Sequence, residues 1–446
     1  MKRLLAALGL SSLALCGALL LSGWTHGVGP TLNAIPNSFF SVTVGCCAGS
    51  NPTTQGSWTV GYYGKTPQTS WPYVQPTSPN ANGLNCTPLC TYNWHDLDTI
   101  ANVARAQSVK MMYTMGGSPG WAVANHAAGT GSVNSITGQW VSSLPPDDLG
   151  SLDTFMAALH ARYSDVINLI ECWNEPQASV SNGVTIANVV LYCNHMHDWL
   201  RANWPTVLIS TPSIEPRDDC LQAGYFYYDY FAAGGTTDVD VVTWHAYAGF
   251  STGGDTPSVI YSRFQLTISC LLTPWGLQNK QRWDSEGGWN LDTSRPELAG
   301  QSAFVSQDML IHWQLGAKVQ IWYGYIIAGW GTLINNSTLA LLQPGVAYQQ
   351  TRLWMAGAAT PNPCAISGTV WTCEFIRSYP LGYSGLAVFD TSGPSVYTVP
   401  AHSPPYTQYR DTAGGVTSTT TGAMITLPDS ATAVGTLPII IETQTP

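Results

Sequence analysis

Between Ser38 and Gly357 the chain repeats one alternation, a short run of β-branched and aromatic residues followed by a longer segment with apolar residues at helical spacing. A helix-length crossover after each strand makes consecutive strands lie parallel. The strand runs fall near Phe39–Gly45, Trp58–Gly64, Val109–Gly116, Val166–Trp173, Val207–Pro212, Val239–Tyr247, Gln281–Glu286 and Lys318–Tyr323. Helical periodicity falls at Trp94–Gln107, Leu152–Tyr163, Ile186–Asn203, Leu298–Leu315 and Gly345–Met355. Eight such units predict an α/β fold closed as a (β/α)8 TIM barrel, which typically takes ~250 residues. The 446 residues leave room for a smaller second unit. After Gly357 the texture changes to Ser, Thr, Gly and Pro with short β-branched runs such as Ala387–Phe389, Val396–Val399 and Leu437–Ile441. This predicts a small C-terminal antiparallel β-sandwich domain over 359–446 beside a barrel over 38–358, with 24–37 lending the sandwich a strand.

Met1-Lys2-Arg3 and the apolar run Leu4 to Leu21 read as a secretory signal over 1–23, with an uncleaved membrane anchor as the alternative. No later stretch is apolar enough to span a bilayer. The expected location is therefore secreted or extracytoplasmic. Sixteen Lys and Arg against 26 Asp and Glu give a net charge of −10, the wrong sign for a nucleic-acid partner. Ten of the eleven cysteines follow Cys16 of the leader, an even count that in an exported chain suggests disulfides. Cys364 with Cys373 and Cys86 with Cys90 are the expected local pairs, while the pairing of Cys46, Cys47, Cys172, Cys193, Cys220 and Cys270 stays open. Cys46-Cys47 and Cys86/Cys90 lack the partner ligands of a zinc site, so no metal is expected. The chain also lacks a Gly-x-Ser-x-Gly elbow and a His-Glu-x-x-His helix, which argues against serine and zinc hydrolases.

Only seven glutamates occur in the chain, and two of them close hydrophobic strands. Glu175 ends the fourth in Leu169-Ile170-Glu171-Cys172-Trp173-Asn174-Glu175-Pro176, and Glu286 ends the seventh in Trp283-Asp284-Ser285-Glu286-Gly287-Gly288-Trp289. The carboxyl ends of all strands in such a barrel open on one face, so these distant residues converge there. Two carboxyls ~5–5.5 Å apart support retaining glycoside hydrolysis. Glu171, two residues short of Trp173, is read as structural support. Eighteen Trp and 21 Tyr suit a sugar cleft, because flat aromatic faces stack on pyranose rings. Trp121, Trp289, Trp322 and Trp330 are the candidates, two of them expected to line the cleft and core packing being the alternative for each.

Trp173-Asn174-Glu175-Pro176 with a Glu on strand seven resembles clan A of the glycoside hydrolases. Tyr113 to Ala122, Glu286-Gly287-Gly288-Trp289, Ile321-Trp322-Tyr323 and Trp330-Gly331-Thr332-Leu333 resemble family 39 and its bacterial relatives more narrowly. The resemblance implies that Glu175 is the general acid/base, Glu286 the nucleophile, and Asn174 a ligand of the sugar 2-hydroxyl. It places His245 and Tyr247, at the end of strand six, where they orient Glu286 and the substrate; a satisfied core histidine is the plain alternative for His245. Relatives carry an Arg on strand two, where this chain has Val60 to Lys65, and Lys65 is its candidate replacement. The expected function is a retaining hydrolase of an oligo- or polysaccharide that needs no cofactor; the alternative is a carbohydrate-binding, non-catalytic barrel. The sugar, endo or exo action and the oligomeric state are not readable from these residues.

Overall fold

The computed structural model describes residues 34–43, 62–64, 70–75, 92–123, 131–133, 140–179, 183–214, 226–247, 256–289, 298–325, 331–335, 337–338, 340–378, 382–432 and 434–444. The leader, Lys65, Trp330, the Cys86/Cys90 pair and most of 24–37 lie outside these residues. Eight parallel strands close a barrel: β1 (Phe40–Thr43), β2 (Tyr62–Gly64), β3 (Lys110–Thr114), β4 (Ile167–Glu171), β5 (Leu208–Ser210), β6 (Val241–Tyr247), β7 (Gln281–Gly288) and β8 (Ala317–Trp322). Closure is explicit, since β1 pairs with β2 on one side and β8 on the other. The strands match the eight expected runs, most of them shorter at the ends. β7 alone runs past its expected end.

Side chains alternate across each strand. Met112, Leu169, Val241, Trp283, Val319 and Ile321 fill the lumen as one apolar cluster. Their neighbours Met111, Ile170, Val242 and Trp322 belong instead to the larger core shared with the helices. Those helices are α1 (His95–Ala106), α2 (Leu149–Tyr163), α3 (Ile186–Asn203), α4 (Phe226–Ala232), α5 (Pro257–Thr267), α6 (Leu298–Gln314) and α7 (Gln343–Met355). Their starts carry the expected chemistry. Thr185 and Asn188 form a reciprocal capping box on α3, and Thr256 caps α5 just before Pro257. No helix among the described residues is long and apolar enough to cross a membrane.

Beyond α7 the strands become antiparallel. A six-stranded sheet comprises β9 (Ala365–Ser367), β10 (Val370–Ile376), β11 (Ser384–Asp390), β12 (Gln408–Asp411), β13 (Val416–Ser418) and β14 (Ile439–Glu442), in the order β9-β10-β11-β14-β12-β13. One face, with Val388, Ile439 and Ile441, packs under the paired segments Val396–Thr398 and Met424–Thr426. The other, with Cys373, Phe375, Phe389 and Ile440, joins the main core. α6 runs in that layer, and every residue from Gly300 to His312 is buried. Gln307 on α6 donates from Nε2 to the carbonyls of Val434 and Thr436, at 3.1 and 2.8 Å. Just past the end of α7, Gly357 and Ala358 pair through their backbone with Ile35.

Two disulfides lie among the described residues. Cys364–Cys373 is the expected local pair. Cys172–Cys193 ties the residue after β4 to the middle of α3 across a sequence separation of 21. It fixes the backbone three residues before Glu175. Replacing both cysteines in Cys172→Ala/Cys193→Ala should lower stability by about 2–4 kcal/mol, read from urea denaturation under non-reducing conditions. Unchanged stability would mean that α3 packing alone anchors this strand end.

Candidate active site

Strict alternation would point Glu286 the wrong way. On β7, Trp283 faces the lumen and is the register partner of Thr243, and Asp284 faces the helices beside Trp244. The next partner of β6 is not Ser285 but Glu286, which pairs with His245. Ser285 is therefore the extra residue of a β-bulge, and the surplus position turns Glu286 back to the lumen side at the barrel mouth. Ser285 Oγ reaches Glu171 Oε2 at 2.7 Å and the Trp244 carbonyl at 3.1 Å. The bulge also explains Gly287. A Cβ there would lie 2.4 Å from Asp284 Oδ2 and 2.7 Å from the Ala246 carbonyl oxygen.

Glu175 reaches the same place by a different route. β4 ends at Glu171, and Glu175 adopts φ +41°, a left-handed conformation uncommon for a side-chain-bearing residue. Its N–H donates to Ser213 Oγ at 2.8 Å, while the Ser213 N–H donates to the Trp173 carbonyl at 3.1 Å. Strain of this kind persists where the surroundings hold it. The Glu175 carboxylate lies 2.6 Å from His245 Nδ1 through Oε1. His245 Nε2 stands 3.9 Å from Glu286 Oε2, so one imidazole separates the two carboxyls. The Tyr247 hydroxyl donates to Glu286 Oε1. Burial, and then the Glu286 charge, push the Tyr247 phenol well above its ordinary range, which keeps it a donor.

One atom each of Glu175, His245 and Glu286 lie within 4.8 Å of one another. The three could face a single cation, but the hydrogen bonds from Tyr247 and between His245 and Glu175 already engage Oε1 of both carboxylates. Glu286 is 8% exposed, whereas a third of the Glu175 side chain meets solvent.

The other expected residues fall in different places. Asn174 is exposed beside Glu175, and its backbone runs close to Gly116, where an added Cβ would approach the Asn174 nitrogen to 3.3 Å. Glu171 is wholly buried below the two site carboxyls and accepts from Thr114 Oγ1 and Ser285 Oγ. Trp121 is half-buried, donating from Nε1 to the Gln75 carbonyl at 2.9 Å, and Trp289 is half-buried edge-on to Phe304. Trp322 takes the core-packing alternative. It lies on the helical side of β8 at 0% exposure, with Nε1 held by the Gly331 carbonyl, so its ring has no face to offer a sugar. Sequence reasoning missed Ser213 and Ser285; neither belongs to a recognisable motif, and only the register of neighbouring strands reveals them.

Behind β7 lies a second polar group. Asp284, Asp308, His312 and Gln320 are each 0% exposed. Burial works against a charge on His312, but Asp308 and then Asp284 outweigh it and hold the imidazole up to about 9. Burial likewise raises the Asp284 carboxyl, against the pull of His312. His312 thus keeps a proton in the folded state that it releases in the unfolded one, so its contribution to stability falls as pH rises. For His312 the contribution is complete below its ordinary value of 6.5 and lost as pH passes about 9. Urea denaturation should therefore give a lower unfolding free energy at pH 9.5 than at pH 6, and a flat profile across that interval would count against a charged His312.

No protein-family model matches the sequence, and no curated protein does. Solved structures do. A family 39 glycoside hydrolase from the gut symbiont Bacteroides cellulosilyticus WH2 aligns with a TM-score of 0.63 at 14% identity, over 92% of this chain and 81% of that one. A glucosidase from Croceicoccus marinus aligns at 0.60 and 10% identity, over 94% and 97%. A GH30 endoxylanase from Clostridium papyrosolvens C71 aligns at 0.53 and 13%, over 93% and 97%. The chain resembles clan A glycoside hydrolases in fold.

Proposed function

We propose that the chain is a retaining glycoside hydrolase acting on an oligo- or polysaccharide outside the cytoplasm, with Glu175 as acid/base and Glu286 as nucleophile. The observation that carries this reading is the approach of one oxygen of each carboxyl to within 4.8 Å, on the face where strand ends open. Inverting enzymes hold their carboxyls ~6.5–9.5 Å apart to admit a water, whereas retaining ones hold them at ~5–5.5 Å. The glycosidase folds that align with the chain support the substrate class. The disulfides support an oxidising compartment. In this reading the catalytic barrel spans 38–358 and the β region starts at 359.

In the first step a Glu286 oxygen attacks the anomeric carbon while Glu175 gives its proton to the departing glycosidic oxygen. Glu175 Oε1 lies 2.6 Å from His245 Nδ1; when the neutral imidazole carries its proton on Nε2, Nδ1 accepts from a protonated Glu175, the state a general acid needs. Tyr247 holds Glu286 through Oε1, and Oε2, on the His245 side, is assigned as the attacking oxygen. In the second step Glu175 takes a proton from water, which displaces Glu286 from the sugar. Asn174 is assigned to the sugar 2-hydroxyl, and the half-buried Trp121 and Trp289 to stacking.

The test is mass-spectrometric mapping after incubation with 2-deoxy-2-fluoro-β-D-glucosyl, -galactosyl and -xylosyl fluorides. Fluoride leaves and an ester is expected on Glu286. An adduct on another residue, or wild-type turnover in Glu286→Ala, would remove the assignment. Glu175→Ala should slow substrates with sugar leaving groups by ~10²–10⁴-fold, yet barely slow glycosylation by 2,4-dinitrophenyl glycosides, whose leaving group needs no proton. Equal loss on both would move the acid elsewhere.

A further inference from the structure

The buried cluster behind β7 takes no part in the chemistry above, yet it adjoins the nucleophile. Asp284 comes from β7, Gln320 from β8, and Asp308 and His312 from successive turns of α6. Asp284 and Gln320 are register partners, so their side chains leave the sheet together towards α6. His312 spans the gap, with Nδ1 bonded to the Asp308 backbone carbonyl at 2.9 Å and 3.0 Å from Asp308 Oδ1, and with Nε2 3.5 Å from Asp284 Oδ2. Gln320 Nε2 donates to Asp308 Oδ2 at 2.9 Å. Trp244 of β6 and Phe264 of α5 pack on the imidazole and carry no charge; His245 is the other titratable group that acts on Asp284.

Buried ionic groups are poor stabilisers compared with apolar side chains of similar volume, and their best-attested use is to specify one arrangement. Here the arrangement at stake is the bulge. Asp284 is the last residue of β7 in regular register before Ser285. Its Oδ2 occupies the space a side chain on Gly287 would need, and the Glu286 N–H acts on the same carboxyl. The carboxylate therefore sits inside the bend. We infer that the Asp284–His312–Asp308 chain, steadied by Gln320, is a positioning device that holds the β7 bulge from behind and so aims Glu286 into the barrel mouth. Released from it, β7 can slip to regular pairing, with Ser285 beside His245 and Glu286 turned to the helices.

The inference rests on Glu286 being the nucleophile, and its test separates the two. In full-length protein labelled with 15N-histidine, the imidazole signal that disappears in His312→Gln should show both nitrogens protonated at pH 7. A neutral imidazole there overturns the proposal. So does a stoichiometric divalent cation in the purified protein that is lost in Asp284→Asn, because a metal would then hold the carboxylates. The crystal structure of Asp284→Asn should show Glu286 withdrawn from Tyr247, and unchanged Glu286 geometry is the opposing result. Labelling of that variant by whichever 2-fluoro glycosyl fluoride of the panel modifies the wild type should be ~10- to 100-fold slower, as expected for a misplaced reacting group. If none labels the wild type, the catalytic reading fails while the imidazole state and the variant structure still decide the positioning role.

Discussion

Parallel strands in a closed barrel send alternate side chains to the lumen and to the helices, and on β7 that rule would carry Glu286 away from Glu175. One surplus residue, Ser285, reverses the parity. The rest of the site follows from this reversal. His245 and Tyr247, two apart on β6, both face the lumen without help, and the bulge sets Glu286 next to them. Glu175 meets them from the opposite side through a left-handed turn held by Ser213. Two backbone irregularities, on strands over a hundred residues apart, are thus complementary halves of one geometry.

Much of this was legible beforehand. Eight parallel units, the antiparallel texture beyond α7 and the convergence of Glu175 with Glu286 follow from periodicity and from the rule that strand ends share a face. Scarcity of glutamate picked out the two strand ends that meet at the barrel mouth, but scarcity alone does not separate them from glutamates buried in the frame. Glu171 and Glu442 are as buried as any carboxylate here, and both serve the frame: Glu442 accepts from Arg410, Tyr383 and Gln408 across the C-terminal sheet. Trp322 shows the limit of composition arguments. An aromatic residue near a strand end is a cleft residue or a core residue according to its parity, and β8 parity puts it on the helical side.

What stayed hidden depends on register, which no local pattern encodes. Asp284 reads in sequence as a polar residue at a strand end, where solvent exposure is the ordinary expectation. Its partners Asp308 and His312 sit on a helix that is buried all round and shows no polar face, so they too give no warning. The cluster exists only because two strands and a helix meet at one height. An isolated carboxylate at such depth would be strongly unfavourable, and the imidazole between Asp284 and Asp308 offsets that cost.

α6 carries Gln307 and His312 less than two turns apart, the one bonded to the C-terminal sheet and the other facing the back of β7. Packed from both sides, this helix is a shared wall. A chain ending at residue 358 would strip its outer cover, and the disturbance would arrive at the carboxylate of Asp284 rather than at the periphery. The antiparallel region is in this sense no detachable module but part of the foundation on which the barrel mouth is built, and the two are expected to be inherited together.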